Sequence, residues 1–286
     1  MGAVAREVQY RIIEPRQPGV LERAREAWRY RGLVSFFGAR FVQKMYLRTW
    51  LGWIWVPLRP TFDFATRVFV FGGVFGVTSI AVPYVLFVLI GMSSWELFER
   101  TAYWSTRSLE LNRRYLRRLY VPRLTVLAGA LYPAAVVYGV YMVLALLTFG
   151  YYAIADGQLY LPLSPTLLLV PAGLLLLVAL GLSVGLWLSV YGAQARDVRF
   201  VLSYALSFWF FLTPIVIPVT LIPKGFRTVV ELNPVTAPVV LVREGLLGSE
   251  AVSATSLLAT FVALAIIGGS GLWFFTRSEA AALDSL

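Results

Sequence analysis

Six arginines fall within seventeen residues, at Arg107, Arg113, Arg114, Arg117, Arg118 and Arg123. A guanidinium offers forked donors that fit carboxylates and backbone carbonyls, and it keeps its charge at any physiological pH. The chemistry open to this stretch is therefore electrostatic docking and not proton transfer. The rest of the chain narrows the choice further. It holds no histidine and no cysteine, which excludes imidazole bases, thiolate nucleophiles, disulfides and zinc sites. The only lysines are Lys44 and Lys224, neither in a glycine loop, so a Gly-x-x-x-x-Gly-Lys-Ser/Thr phosphate cradle is missing. No Asp-x-Asp pair could hold a metal–nucleotide-sugar. A serine nucleophile would lack its base, and neither rings of charge nor a carbonyl filter suggests a channel. What remains is a membrane pathway whose energy arrives from elsewhere, with the arginine island as a docking surface for something the chain lacks.

The elements that position the island follow from composition. The 286 residues are 59% hydrophobic and 14% charged, with a mean hydropathy of +0.74. Soluble domains carry roughly 25% charged residues, so the chain reads as an integral membrane protein. Its apolar runs are about 20 residues long rather than ten-residue alternations, which predicts helices and not an outer-membrane barrel. A net charge of +10 would suggest nucleic acid in a soluble protein. Here most basic residues lie in segments assigned to the cytoplasm, where anionic headgroups attract them, and no nucleic-acid partner is expected. No cleavable signal is expected, because the first 50 residues carry ten Lys/Arg and no early apolar core.

In chain order, 1–27 is a polar cytoplasmic arm. Residues 28–50 alternate apolar positions with Arg29, Arg31, Arg40, Lys44 and Arg48 at helical spacing, which predicts an amphipathic helix in the membrane interface or, alternatively, a helix packed on a partner. A transmembrane domain of six spans covers 51–275. Span one, about Leu51 to Ile80, is interrupted early by Pro57 and Pro60 and carries Asp63 and Arg67 at i and i+4, placed to pair within the membrane. Span two runs from about Val82 to Trp104, and the island at 107–123 follows. The third apolar run, Leu124 to Ala155, exceeds one span and must tilt or start outside, with Pro133 a candidate kink. Gly181, Gly185 and Ser189 step by four along span four, a small-residue stripe for close helix packing. Span five, about Phe200 to Ile222, meets Pro214, Pro218 and Pro223 and should break in its outer half. Residues 224–250 are predicted to dip back into the outer leaflet as short re-entrant helices. A sixth span and a cytoplasmic tail, 276–286, complete the chain. Only six helices with both termini in the cytoplasm keep the basic loops on one side.

Several stretches are similar to one family, the transmembrane subunits of ATP-binding-cassette exporters for O-antigen, capsule and teichoic acid. They are Leu51-Gly52-x-x-Trp55-x-x-Leu58-x-Pro60; Pro83-Tyr84 with Gly91, Trp95 and Phe98; and Asn112 with Leu116-Arg117-Arg118-Leu119-Tyr120-Val121-Pro122-Arg123. Arg196-Asp197, Thr213-Pro214, Pro223, Asn233-Pro234 and Arg243 continue the series, which spans Arg40 to Phe275 in order. The extra Pro57 beside Pro60 departs from the pattern at the start of span one, and the 1–27 arm lies outside it.

The resemblance implies an all-α half-transporter of the bacterial inner membrane. Such a subunit forms a homodimer, pairs with two ATPase subunits that bind ATP and Mg, and holds no cofactor itself. It implies a cytoplasmic coupling helix in 107–123, with Arg113, Arg114, Tyr115, Arg117, Arg118, Tyr120 and Arg123 against the ATPase; otherwise the island is a topology signal alone. Arg196-Asp197 makes a second such contact or caps a helix. The implied cargo is a polysaccharide on a lipid pyrophosphate, toward which Arg40, Lys44 and Arg48 are placed, or else they anchor headgroups. Phe62 and Phe69 on span one and Tyr204, Phe208 and Phe211 on span five form aromatic faces for a sugar pathway, or faces toward lipid or neighbouring helices. The alternatives are a drug or small-lipid exporter of the same build and a non-transport scaffold or lipid-modifying membrane protein.

Overall fold

A computed structural model describes residues 20–46, 50–79, 82–118, 121–162 and 164–284. The described chain is helical, with no strand among the described residues. Among the described residues, three helices are long and apolar enough to cross a membrane, Arg123–Ala155, Pro165–Gln194 and Ala254–Ser278. The helices in order are α1 (Val20–Arg29), α2 (Arg31–Tyr46), α3 (Trp55–Arg67), α4 (Tyr84–Thr106), α5 (Ser108–Leu116), α6 (Arg123–Ala128) and α7 (Leu131–Ala155). They continue with α8 (Leu169–Gln194), α9 (Val198–Phe211), α10 (Lys224–Leu232), α11 (Thr236–Leu247), α12 (Ala254–Ala263) and α13 (Gly269–Asp284).

The axis of the fold is α4. Every residue from Leu86 to Phe98 is buried, the mark of a helix enclosed on all sides. Helices α7, α8 and α11 surround it. The glycine stripe on α8 permits this. A Cβ at Gly181 would meet the Thr101 Cβ at 2.8 Å and the Phe98 carbonyl at 3.0 Å, one at Gly185 would overlap Ser105, and one at Gly192 would lie 2.9 Å from the Thr106 carbonyl. Gly173 extends the stripe to α11, where the Pro238 carbonyl is 2.8 Å away. A Gly181→Val substitution should therefore lower stability by about 1–3 kcal/mol through overpacking. The midpoint of thermal unfolding in detergent measures it, and Gly139→Val, where the site is open, should leave that midpoint in place.

The N-terminal region differs from the single helix expected over 28–50. It is two helices hinged at Tyr30, the first of which starts inside the polar arm. The apolar side of α2, Phe37 and Phe41, is buried against Trp104, Val126 and Ala130. Gly38 faces Tyr132, and a Cβ at Gly129 would lie 3.1 Å from the Phe37 Cβ. Helix α2 thus crosses where the overlong third run breaks between α6 and α7, at Gly129–Ala130 and ahead of the expected Pro133. In the run expected as span one, regular α-helix starts only at Trp55, so Pro57 sits in the first turn, where a missing donor is tolerated. The helix then widens into a π-helical stretch over Val68–Val74.

The apolar run expected as span five breaks at Phe211, and residues around Thr213–Pro218 leave helical geometry. Backbone without helical partners needs other donors when buried, and here they come from distant residues. Asn233 Nδ2 donates to the Leu212 carbonyl at 3.1 Å and to Thr213 Oγ1 at 2.9 Å. Arg243 Nη2 donates to the Pro214 and Ile215 carbonyls at 3.0 and 3.1 Å. The Tyr84 hydroxyl donates to the Val216 carbonyl at 2.9 Å. Asn233 Oδ1 in turn accepts from Trp209 Nε1 at 2.9 Å and Val235 N at 3.0 Å. Gly91 leaves the room this requires, because a Cβ there would lie 2.5 Å from Arg243 Nη2. Motif residues 150 positions apart in sequence thus meet in one node that replaces the missing helix bonds. The 224–250 segment supplies two of its members, and it forms the two short helices α10 and α11, the second closed by Gly248 at φ +61°.

Candidate functional site

Helix α5 continues α4 after a one-residue break at Arg107. Its apolar side, centred on the fully buried Leu109, packs with Leu127 of α6, Val190 and Ala193 of α8, and Phe275 of α13. Its other side is open. Arg113, Arg114, Arg117 and Arg118 line a concave surface of about 460 Å³ together with Glu110 and Leu111. None of these four arginines makes a side-chain hydrogen bond or ion pair among the described residues, and Arg117 and Arg118 are exposed. Arg123 is half-buried and engaged. Tyr120, and Arg48 of the pyrophosphate candidates, lie outside the described residues. Asn112, the first motif residue here, is buried and donates to the Ser108 carbonyl at 2.9 Å.

Two contacts that sequence spacing left unread fix this surface. Glu110 accepts from Arg107 at 3.2 Å and pairs with Arg199 at 3.7 Å, which ties α5 to α9. The i,i+3 spacing of Arg107 and Glu110 was a visible signal, whereas Arg199, 89 positions away from Glu110, gave none. On the other flank α2 grips α5. Lys44 Nζ donates to the Leu111 carbonyl at 2.6 Å, and the Arg40 guanidinium lies 4.1 Å over the Tyr115 ring. Burial, then the nearby Arg40 and Arg107 charges, hold the Lys44 ammonium below its ordinary pKa. Asp197 occupies the N-cap of α9 without a side-chain cap bond, and Arg196 beside it is exposed.

The aromatic candidates lie on α3 with its π-helical continuation and on α9. Phe62, Phe69, Tyr204, Phe208 and Phe211 are each 62–78% exposed, so none packs inside the subunit. Between the two helices Arg67 lies 4.6 Å over the Phe210 ring and donates to the Asp63 carbonyl at 3.1 Å. The Asp63–Arg67 contact expected between side chains thus goes to the backbone instead, because the cation is drawn to the α9 ring. Nearer α5, a polar cavity of about 490 Å³ opens between α2, α3, α4 and α9.

A multi-pass helical membrane protein with an exposed arginine face belongs to a broad class. The particular family is specific: residues 34–247 match the ABC-2 type transporter family, and the chain belongs to it. Among curated relatives, the chain is 28% identical over 236 residues to the polysialic acid transport protein KpsM of Escherichia coli, covering 80% of this chain and 87% of that one. It is 26% identical over 218 residues to the O-antigen export system permease protein RfbA of Myxococcus xanthus, covering 74% and 79%.

Proposed function

We propose that the chain is the permease subunit of an ATP-driven exporter that moves a lipid-linked polysaccharide across the bacterial inner membrane. The single observation that carries this reading is the arginine face of α5, open outward and bound inward through Leu109 and Glu110 to α8 and α9. A chain without a nucleotide loop needs an external engine, and this is a surface fitted to receive one. The names of KpsM and RfbA support the cargo class. In this reading two copies associate, two ATPase subunits bring ATP and Mg, and Arg113, Arg114, Tyr115, Arg117, Arg118, Tyr120 and Arg123 form the contact.

Six spans with both termini in the cytoplasm, α2 near the interface and α10–α11 as re-entrant helices accommodate the three long apolar helices and the shorter ones. The exposed aromatics of α3 and α9 then line the route between copies, where C–H faces of sugars pack on rings. Arg40, Lys44 and Arg48 attract the carrier's pyrophosphate.

Purification of the full chain in mild detergent from its native host tests the proposal. A co-purifying subunit of ATPase size, together with loss of surface polysaccharide when the chain is deleted, is the expected result. Full surface polysaccharide in the deletion strain overturns it.

A further inference from the structure

Serines inside α4 and α8 bond back to their own helix. Ser93 and Ser94 donate to the Ile90 carbonyl at 2.7 and 3.0 Å, Ser105 to the Thr101 carbonyl at 2.6 Å, and Ser183 to the Ala179 carbonyl at 2.7 Å. That is the ordinary recourse of a helical hydroxyl. Around the break at Arg107 it fails. Thr106 Oγ1, Ser108 Oγ, Ser189 Oγ and Asn112 Oδ1 all belong to fully buried residues, and none has a hydrogen-bond partner among the described residues.

These atoms belong to one contact. Ser189 lies four residues after Gly185 and three before Gly192, the positions where α8 meets Ser105 and the Thr106 carbonyl, so all three share a face. Ser108 adjoins Leu109, which packs on Val190 and Ala193 of α8. Asn112, one turn further along α5, spends its amide hydrogen on the Ser108 carbonyl. Across the seam α8 presents glycines, and Ser105 reaches the Gly181 carbonyl only at 3.4 Å. Close packing with little polar cross-linking is the build of a contact that permits small sliding motions.

We infer that this joint is a moving contact: as α5 turns about Arg107 against α8, Thr106, Ser108 and Ser189 take up hydrogen-bond partners that the present arrangement denies them. Buried polar groups are paired as a rule, and an unpaired one is costly. Four such atoms in one place raise the energy of this arrangement and narrow the gap to one that pairs them, which is what a two-state element requires. The hydroxyls are therefore positioning groups for the second arrangement of α5, not struts of the first. The location suits the role, because Arg107 separates a helix enclosed on all sides from one whose outer face is open. The inference rests on the export reading, in which an ATPase seated on α5 supplies the motion.

The double variant Thr106→Val with Ser189→Ala, in the full-length chain purified with its ATPase partner, is the test. Val keeps the shape of Thr, and removing unpaired polar groups breaks no bond, so the unfolding midpoint in detergent should equal or exceed that of the wild type. Co-purification of the ATPase should persist, while export should fall at least fivefold. Thr106→Ser, which keeps the hydroxyl, should export like the wild type. A lower midpoint overturns the inference, because the hydroxyls are then bonded in the resting fold, through water or otherwise. A smaller fall in export, loss of co-purification, or equal failure of Thr106→Ser overturns it as well. None of these touches the export reading, which fails instead if the wild-type chain brings down no ATPase and its deletion leaves surface polysaccharide intact.

Discussion

The double reversal Arg117→Glu with Arg118→Glu is expected to abolish co-purification of the ATPase subunit and to take polysaccharide export to background. Both side chains are exposed and unengaged among the described residues, so the fold should tolerate the change. Their neighbours Arg113 and Arg114 sit on the same concave face, and reversing two of four cations opposes the field that an acidic partner would meet. Truncating one member of a desolvated interfacial charge pair costs about 2–5 kcal/mol. Even the low end, reached once, corresponds to a loss of affinity well beyond tenfold, and reversal adds repulsion. The same change at Arg227, a surface cation on α10 paired with Glu231, should leave assembly intact. Wild-type export by the double variant would sink the coupling role of α5.

Much of this surface was legible because its signal is local. Charge clustering between apolar runs needs no tertiary knowledge, and neither does the proline series that ends α9. The four-residue glycine steps on α8 named a close contact, and the structure supplies its partner in α4. What sequence left unread is pairing across the chain. Nothing near Arg199 announces Glu110, and nothing near Arg59 announces Lys44 or Arg100. The cavity exists only because four helices converge, three of them with cations that read alone as topology marks or anchors. The expected Asp63–Arg67 side-chain pair shows the converse. Helical spacing placed the two residues on one face, but it could not weigh the Phe210 ring on another helix, which takes the guanidinium. The overlong third run was likewise a length anomaly in sequence. Its break at Gly129 follows from α2 crossing there, a contact between elements some ninety residues apart.

Arg243→Met is expected to remove the folded protein rather than merely its activity. Arg243 is completely buried, with its guanidinium 3.7 Å from the centre of the Phe87 ring and Nη1 2.9 Å from Glu250. Its loss leaves the Pro214 and Ile215 carbonyls without their donor and the Glu250 carboxylate without its counter-charge. Breaking a buried pair on one side costs roughly 3–5 kcal/mol, and unsatisfied buried carbonyls add about 1–3 kcal/mol each, against total stabilities of roughly 5–15 kcal/mol. Membrane-inserted yield and the unfolding midpoint in detergent should both collapse. Arg243→Lys should not rescue them, because one ammonium cannot reach two carbonyls and a carboxylate in the geometry that the fork provides. Gly91→Ala should fail in the same direction, since its methyl would occupy the place of Nη2. If Arg243→Met instead folds with a near-normal midpoint, the carbonyls of the broken helix have another donor. The convergence of Tyr84, Gly91, Asn233 and Arg243 would then serve the pathway and not the fold. The distinction matters because the node sits directly beyond the aromatic face of α9. A helix that ends there by design holds its exposed rings at fixed height, and the donors that satisfy its broken end come from other helices, Tyr84 and Arg243.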